Sequence, residues 1–358
     1  MSDKKSKEKK LLILIARTKH TAIEKEQLDR IIKLNEIDWP YVYYNAIINK
    51  IQNFLYLYIK NNDYKIYKMN EQIYFNLHNF FYSWMIHYNE HIASCIPIFN
   101  EFENARINYA VIKGISLIEQ VYKKNLKYLR FFKDTDLLVG FESLQCVSKI
   151  LKKHGYTQGI YVPKTHSIKS STRQEKIQRK MTTHELLPFI KIKKLSLQNT
   201  VDYISEFDIN FTIFEGGIYK DPVDNNDILK EKKHIEVNGL KFKTLEPTWF
   251  LVQLCYHLYK DIRYVKNKKY IKKIDIINLC DIREYIKMYR KKINWHELYN
   301  ICQLDRVKQG VFTALSLTQR LYGDLSIDGF LKNIEPKNIQ FKDFFADFTC
   351  NFETNLFS

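Results

Sequence analysis

Two aspartates separated by one residue in a short β-like run constrain this chain more than any other feature. Residues 130–139 read Arg130-Phe-Phe-Lys133-Asp134-Thr135-Asp136-Leu-Leu-Val139, a short run rich in apolar residues that must enter a core. Side chains alternate faces along a strand, so Asp134, Asp136 and Leu138 share one face and Thr135, Leu137 and Val139 the other. The two carboxylates then stand about 7 Å apart at their Cα atoms and point the same way. Like charges on a half-buried strand are costly unless a cation or hydrogen bonds compensate them. A hard divalent cation such as Mg²⁺, which takes oxygen ligands, supplies that compensation. The competing reading is an ordinary solvent face, for which two acids at this spacing are common.

A second strand offers a third acid. Over 201–214, Phe207, Ile209, Phe211 and Ile213 are apolar, whereas Glu206, Asp208, Asn210 and Thr212 form the opposite face. If this strand lies beside the first, Asp208 faces the same pocket as Asp134 and Asp136. Three carboxylates around one or two Mg²⁺ ions suit metal-assisted phosphoryl or nucleotidyl transfer, because the metals offset phosphate charge and activate the attacking oxygen.

The rest of the chain frames these strands. From 11 to about 104, apolar residues recur at helical spacing, as in Ile47, Ile51, Phe54, Leu55 and Tyr58, with few breakers apart from Pro40 and Pro97. Short β-like runs follow at 109–112 and 132–139, then a hairpin over 234–244 turning at Asn238-Gly239, and helical periodicity returns from 248. The expected organisation is a solvated basic tail at 1–10, a helical region at 11–105, an α/β core at 106–244 and a helical domain at 245–358. The longest purely apolar run, 11–16, is far short of the roughly 20 residues a membrane span needs, and Arg17, Lys19 and His20 follow it instead of the small residues of a signal cleavage site. A cytoplasmic protein with no membrane partner is expected. The six cysteines are scattered without a close pair, which argues against a disulfide framework or a Cys-based zinc site. A net charge of +17 suits an anionic partner such as nucleic acid or a nucleotide, and equally suits compositional drift in a Lys-rich chain.

A family resemblance rests on Ala110-Val-Ile-Lys113-Gly114-Ile-Ser116-Leu, Tyr122, Arg130-x-x-x-Asp134-x-Asp136-Leu-Leu-Val139, Leu151 and Gly155-Tyr156. Ile37-Asp38-Trp39 upstream and Ile274-Asp275-x-x-x-Leu279-x-Asp281 downstream extend it over nearly the whole chain. The pattern resembles the uncharacterised nucleotidyltransferase family of the polymerase β-like superfamily. The resemblance implies an α+β fold: a polymerase β-like core of mixed sheet and helices, flanked by N-terminal and C-terminal helical regions. It implies transfer of a nucleoside monophosphate from a triphosphate to a hydroxyl of an unidentified acceptor (peptide or protein, RNA or small molecule), with release of pyrophosphate. Asp134, Asp136 and Asp208 would be the catalytic and metal-binding residues, with Mg²⁺ or Mn²⁺ as cofactor. Two departures stand out. Lys113-Gly114 replaces the superfamily's Gly-Ser or Gly-Gly pair, as is usual for this family, and Asn210 stands where a histidine often follows the third acid. Glu206 therefore remains a rival to Asp208.

Other candidates carry two readings each. Lys113, Gly114 and Ser116, at a strand-to-helix turn, would bind the nucleotide's phosphates or merely form the turn. Arg130 would touch a phosphate or form a structural salt bridge. His87-Tyr-Asn-Glu90-His91 matches the H-x-x-E-H zinc pattern, which five residues often match by chance. The basic segment 164–180 would be a mobile loop contacting an anionic acceptor, or a solvated loop or helix. Lys266, Lys268, Lys269, Lys272 and Lys273, with Tyr264 and Tyr270, would stack on bases or line a helix. The competing function is a non-catalytic protein of the same fold that binds RNA or an acidic partner through its basic surface.

Overall fold

The alternation around Asp136 builds the centre of an eight-stranded mixed sheet. The computed structural model describes residues 5–33, 37–62, 69–123, 126–194, 202–214, 223–266 and 274–357. The strands are β1 (Tyr109–Val111), β2 (Thr135–Val139), β3 (Thr157–Val162), β4 (Ser167–Ser170), β5 (Phe189–Lys194), β6 (Asp202–Asn210), β7 (Lys232–Val237) and β8 (Leu240–Leu245), in the order β4-β3-β5-β6-β2-β1-β8-β7. β2 runs antiparallel to β1 and parallel to β6, and β1 pairs in parallel with β8. The expected hairpin is present: β7 and β8 turn at Asn238-Gly239, whose φ angles of 47° and 81° are the left-handed pair that Asn-Gly adopts readily.

Contacts divide the chain into two compact units, Met1–Met85 with Gln120–Phe131 and Leu254–Ser358, and Ile86–Glu119 with Phe132–Gln253. The N-terminal and C-terminal helical stretches, separate in sequence, thus make one unit. It contains α1 (Ser6–Ile15), α2 (Ala22–Lys33), α3 (Trp39–Ile48) and α4 (Gln52–Asn61), and α5 (Glu71–Asn104) contributes to both units. The sheet unit adds α6 (Ile115–Val121), α7 (Leu144–Lys153), α8 (Arg173–Thr182), α9 (Asn225–Ile228) and the start of α10 (Pro247–Lys266). The helical unit closes with α11 (Ile276–Tyr289), α12 (Trp295–Ile301), α13 (Asp305–Tyr322), α14 (Asp328–Asn333), α15 (Ile339–Cys350) and α16 (Phe352–Phe357).

Asn49, fully buried, is a hub of the helical unit. Its Nδ2 donates to the carbonyls of Asn45 (2.9 Å) and Leu356 (3.0 Å), and its Oδ1 accepts the Ile276 N–H (3.1 Å) at the start of α11. That last bond supplies a helix-end donor with a partner it lacks within the helix. Helix α1 begins at Ser6, inside the stretch expected as a solvated tail. Glu8 is buried there and accepts the Asp38 N–H at 3.1 Å. All six cysteines are free and four are buried. Among the described residues, no helix is long and apolar enough to cross a membrane.

In the sheet unit, Phe99 of α5 packs on Tyr109, Phe207 and Phe242 at ring-centroid distances of 5.5, 6.3 and 6.0 Å. Phe207 and Asp208 are successive strand residues and point to opposite faces, so α5 covers the face away from Asp208. The acids are left to the other side.

Candidate active site

Parallel pairing of β2 with β6 sets Asp136 directly beside Asp208, with Thr135 beside Phe207 and Leu137 beside Ile209. Neighbouring strands lie about 4.8 Å apart, so same-face partners in register are within close electrostatic reach. Asp134 precedes β2 by one residue, and Glu206 lies two residues before Asp208 on β6. Asp136 and Glu206 are buried. Burial first, then the charges of Asp136, Asp134, Glu206 and Glu185, push the Asp208 carboxyl up to about 8. Burial and Asp136 likewise push Asp134 up to about 6, against the pull of Lys113 and Lys133.

Two lysines answer this negative charge in different ways. Lys133 pairs with Glu206 at 2.8 Å, so Glu206 has a counter-ion of its own. Lys113 Nζ donates to Asp136 Oδ1 at 2.6 Å. Burial alone would lower the Lys113 pKa, but Asp136, Asp134 and Asp208 outweigh it and hold the ammonium above its ordinary value. The local backbone explains how Lys113 gets there. The Ile112 N–H donates to the Asp136 carbonyl at 3.0 Å, locking the end of β1 to β2. Gly114 then turns with φ at 51°, and a Cβ on it would stand 3.1 Å from the Asp134 carbonyl oxygen. Only glycine lets this turn pass so close to the acidic strand without strain.

The other sequence candidates have partners of their own. Ser116 is fully buried, with its hydroxyl bonded to Thr244 Oγ1 at 2.6 Å and its N–H donating to the Lys113 carbonyl. Arg130 belongs to the helical unit, where its Nε donates to Asp281 Oδ2 at 2.8 Å, while the Tyr122 hydroxyl donates to Oδ1 at 2.6 Å. The H-x-x-E-H residues do not converge on a metal position. His91 is buried between the Tyr203 hydroxyl (3.0 Å) and Thr135 Oγ1 (2.6 Å), and burial pushes its pKa down to about 4, so the ring is neutral. Glu90 pairs with Lys193 at 2.6 Å. His91 instead supports Thr135, between the two aspartates, from the opposite face of the sheet.

The segment 164–180 forms β4 and most of α8, whose N-terminus carries a reciprocal Thr172–Glu175 capping box. No side chain of α8 is buried. Lys176 and Lys180, with Lys149 and Lys152 of α7, rim a groove of about 350 Å³ with Leu144, Ile177 and Leu186 among its lining residues. Arg179 pairs with Glu185, which bridges to Asn210 on β6. The Leu186 N–H donates to the Ile209 carbonyl at 2.9 Å, so the chain leaving α8 runs beside the strand of Asp208. Sequence reasoning missed Glu185 and Lys133. Neither sits in a periodic pattern: the parallel register of β2 on β6 brings Lys133 to Glu206, and the antiparallel bridge to Asn210 brings Glu185 beside β6. The cluster 266–273 lies outside the described residues, apart from the Lys266 backbone at the end of α10.

The donor chemistry suits a hard divalent cation: Asp134, Asp136 and Asp208 offer only carboxylate oxygens, two of them with their ionised forms raised in energy by burial and then by the crowding of like charge. As the side chains stand, with Lys113 on Asp136, no three His, Cys, Asp or Glu among the described residues are gathered tightly enough to hold a metal.

This crowding has a consequence for stability. The Asp208 carboxyl ionises at an ordinary value near 3.8 in the unfolded chain and at about 8 in the folded one, so the folded state binds the proton more tightly. Stability then falls as pH rises through that window. In metal-free buffer Asp208→Asn should melt higher than the wild type at pH 8, with the advantage shrinking toward pH 5. Melting curves across that range check the sign, and an Asn variant that melts lower at pH 8 contradicts it.

A mixed sheet with paired carboxylates on its two central strands and a Lys-Gly turn beside them is an arrangement suited to a nucleotidyltransferase. Residues 35–323 match the model of the uncharacterised nucleotidyltransferase family, and the chain belongs to that family. No curated protein matches it. Among solved structures, it is similar to an antigenic nucleotidyltransferase-like protein from Paracoccidioides brasiliensis, with 15% identity, a TM-score of 0.38, and coverage of 68% of this chain and 93% of that one. That likeness is too loose to bear on function.

Proposed function

We propose that this nucleotidyltransferase moves a nucleoside monophosphate from a nucleoside triphosphate to a hydroxyl of an acceptor, using Mg²⁺ or Mn²⁺ held by Asp134, Asp136 and Asp208. The observation that carries the reading is the in-register pair Asp136 and Asp208 on parallel strands, coupled to Asp134 and countered by Lys113. A divalent cation bound there would neutralise phosphate charge and stabilise the attacking oxygen. Asp134 and Asp136 position the triphosphate, and Lys113 and the Gly114 turn face its phosphate oxygens. The acceptor oxygen attacks the α-phosphorus, the bond to the bridging oxygen of the β-phosphate breaks, and pyrophosphate leaves with that electron pair. Asp208, whose carboxylate holds a proton unusually well, takes the hydroxyl proton. Incubation with α-labelled triphosphates, Mg²⁺ or Mn²⁺ and a cell extract should yield a labelled product with the wild type and none with Asp136→Ala. Salt-sensitive RNA binding with no triphosphate-dependent rise in melting temperature would favour the non-catalytic alternative instead.

The lysine-rimmed groove supports an acceptor with an anionic portion, an RNA or an acidic peptide. Lys176→Glu combined with Lys180→Glu should lower labelling of limiting extract by about tenfold, on the scale of one or two lost charge contacts. Triphosphate-induced thermal stabilisation should stay unchanged. Unaltered labelling would remove α8 from the acceptor side.

A further inference from the structure

We propose that Lys113 is a built-in counter-ion that takes the cation's place among Asp134, Asp136 and Asp208 in the nucleotide-free protein, so that metal enters only together with a triphosphate. The inference rests on the reading of these acids as the metal-holding group.

The geometry leads there directly. The Lys113 ammonium lies 2.6 Å from Asp136 Oδ1 and is attracted by all three acids. Its side chain is only 17% exposed, and that of Asp136 only 7%, so water screens the pair poorly. One unit of positive charge answers three carboxylates, which leaves the cluster negative and adds to burial in raising the proton affinity of Asp134 and Asp208. Lys133, the other nearby cation, is bound to Glu206 and 65% exposed, so it does not fill this role.

The same features make the arrangement reversible. The backbone on either side of Lys113 is pinned, by Ile112 to the Asp136 carbonyl and by the close passage of Gly114 over Asp134. The flexible stem beyond is free to swing a compact ammonium to a new partner. A bare divalent cation arriving alone must expel the lysine and gains the site only one further positive charge. A metal–triphosphate complex also brings anionic oxygens that receive the expelled ammonium. Metal binding and nucleotide binding are thereby linked, each favouring the other.

The test is Mn²⁺ binding to the full-length, nucleotide-free protein, followed by the loss of the free-Mn²⁺ electron paramagnetic resonance signal. Lys113→Gln should retain Mn²⁺ roughly tenfold or more tightly than the wild type, because an opposing charge at contact distance is gone. It should melt lower than the wild type in metal-free buffer and recover on adding Mn²⁺ alone. The wild type supplies an arm that does not depend on the variant folding: Mn²⁺ should raise its melting temperature when a mixture of ATP, CTP, GTP and UTP is present, and not by itself. A wild type that binds or is stabilised by Mn²⁺ alone as strongly as Lys113→Gln, with that binding lost in Asp136→Asn, overturns the lysine's role and leaves the acid site standing. If neither protein retains Mn²⁺ under any condition, triphosphates included, the metal-holding reading of the acids falls as well.

Discussion

Asp136→Asn should abolish nucleotidyl transfer, with turnover falling by roughly a thousandfold or more, as expected when a metal-positioning carboxylate is lost. Two contacts end at once. The site loses the charge that faces Asp208 across the strand pair, and Lys113 loses its closest partner. Metal-triphosphate affinity should therefore fall along with turnover, and Asp134→Asn should behave the same way. Asp208→Asn should separate the two quantities, keeping much of the nucleotide binding while losing chemistry to a similar extent, because its task lies on the acceptor side. Glu206 is the internal control. It shares the strand face with Asp208, but its charge is already spent on Lys133, so Glu206→Gln should stay within a few fold of wild type. Single-turnover labelling and triphosphate thermal shifts read both quantities. An inactive Glu206→Gln beside an active Asp208→Asn would reassign the third acid.

Arg130→Met should cost the helical unit about 3–5 kcal/mol, the range for removing one partner of a buried ion pair. Asp281 is only 2% exposed and receives Arg130 Nε and the Tyr122 hydroxyl on its two oxygens. Without the guanidinium, its charge stays buried beside the neutral Tyr122 hydroxyl. Arg130 would no longer anchor to α11, although the Tyr122 hydroxyl still reaches Asp281 and Asn53 still holds the Tyr128 carbonyl at 2.8 Å. Urea unfolding followed by tryptophan fluorescence measures the loss. Asp281→Asn should be milder, since no buried anion remains. A change below about 1 kcal/mol accompanied by weakened triphosphate binding would instead return Arg130 to a phosphate-contacting role.

What the sequence made legible follows from periodicity. The two-residue period put Asp134 and Asp136 on one face and offered Asp208, with Glu206 as its rival, on a second strand, and the Asn238-Gly239 pair marked its hairpin, because these signals are local. Register between β2 and β6 is not local. The strands are parallel and about 65 residues apart in the chain, so no turn chemistry sets Asp136 opposite Asp208 and not opposite Glu206. The Lys113–Asp136 contact was equally hidden, since it depends on a left-handed glycine that a string of letters does not reveal. Arg130 and Ser116 show the converse. Their spacing from the acids suggested phosphate, yet burial gives their side chains structural partners, Asp281 and Thr244. The H-x-x-E-H match dissolved for the same reason, with His91 taken up by the core beneath Thr135. Joining the two helical stretches needed knowledge of which faces meet, and helical period alone carries none.

The bond from Asn49 to the Leu356 carbonyl sets a timetable for synthesis. On a ribosome adding roughly 5–20 residues per second, about 300 residues separate the two partners, so Asn49 waits on the order of 15–60 s for the last helix to emerge. Through that interval α1 to α4 can pack on one another and α4 on Phe81 of α5, but they lack α11 and α16, while the sheet unit, ending at Gln253, is already translated before the Leu356 carbonyl appears. The amino-terminal helices therefore gain their full set of partners late in synthesis, and the chain of the sheet with its acids is made before that set is complete.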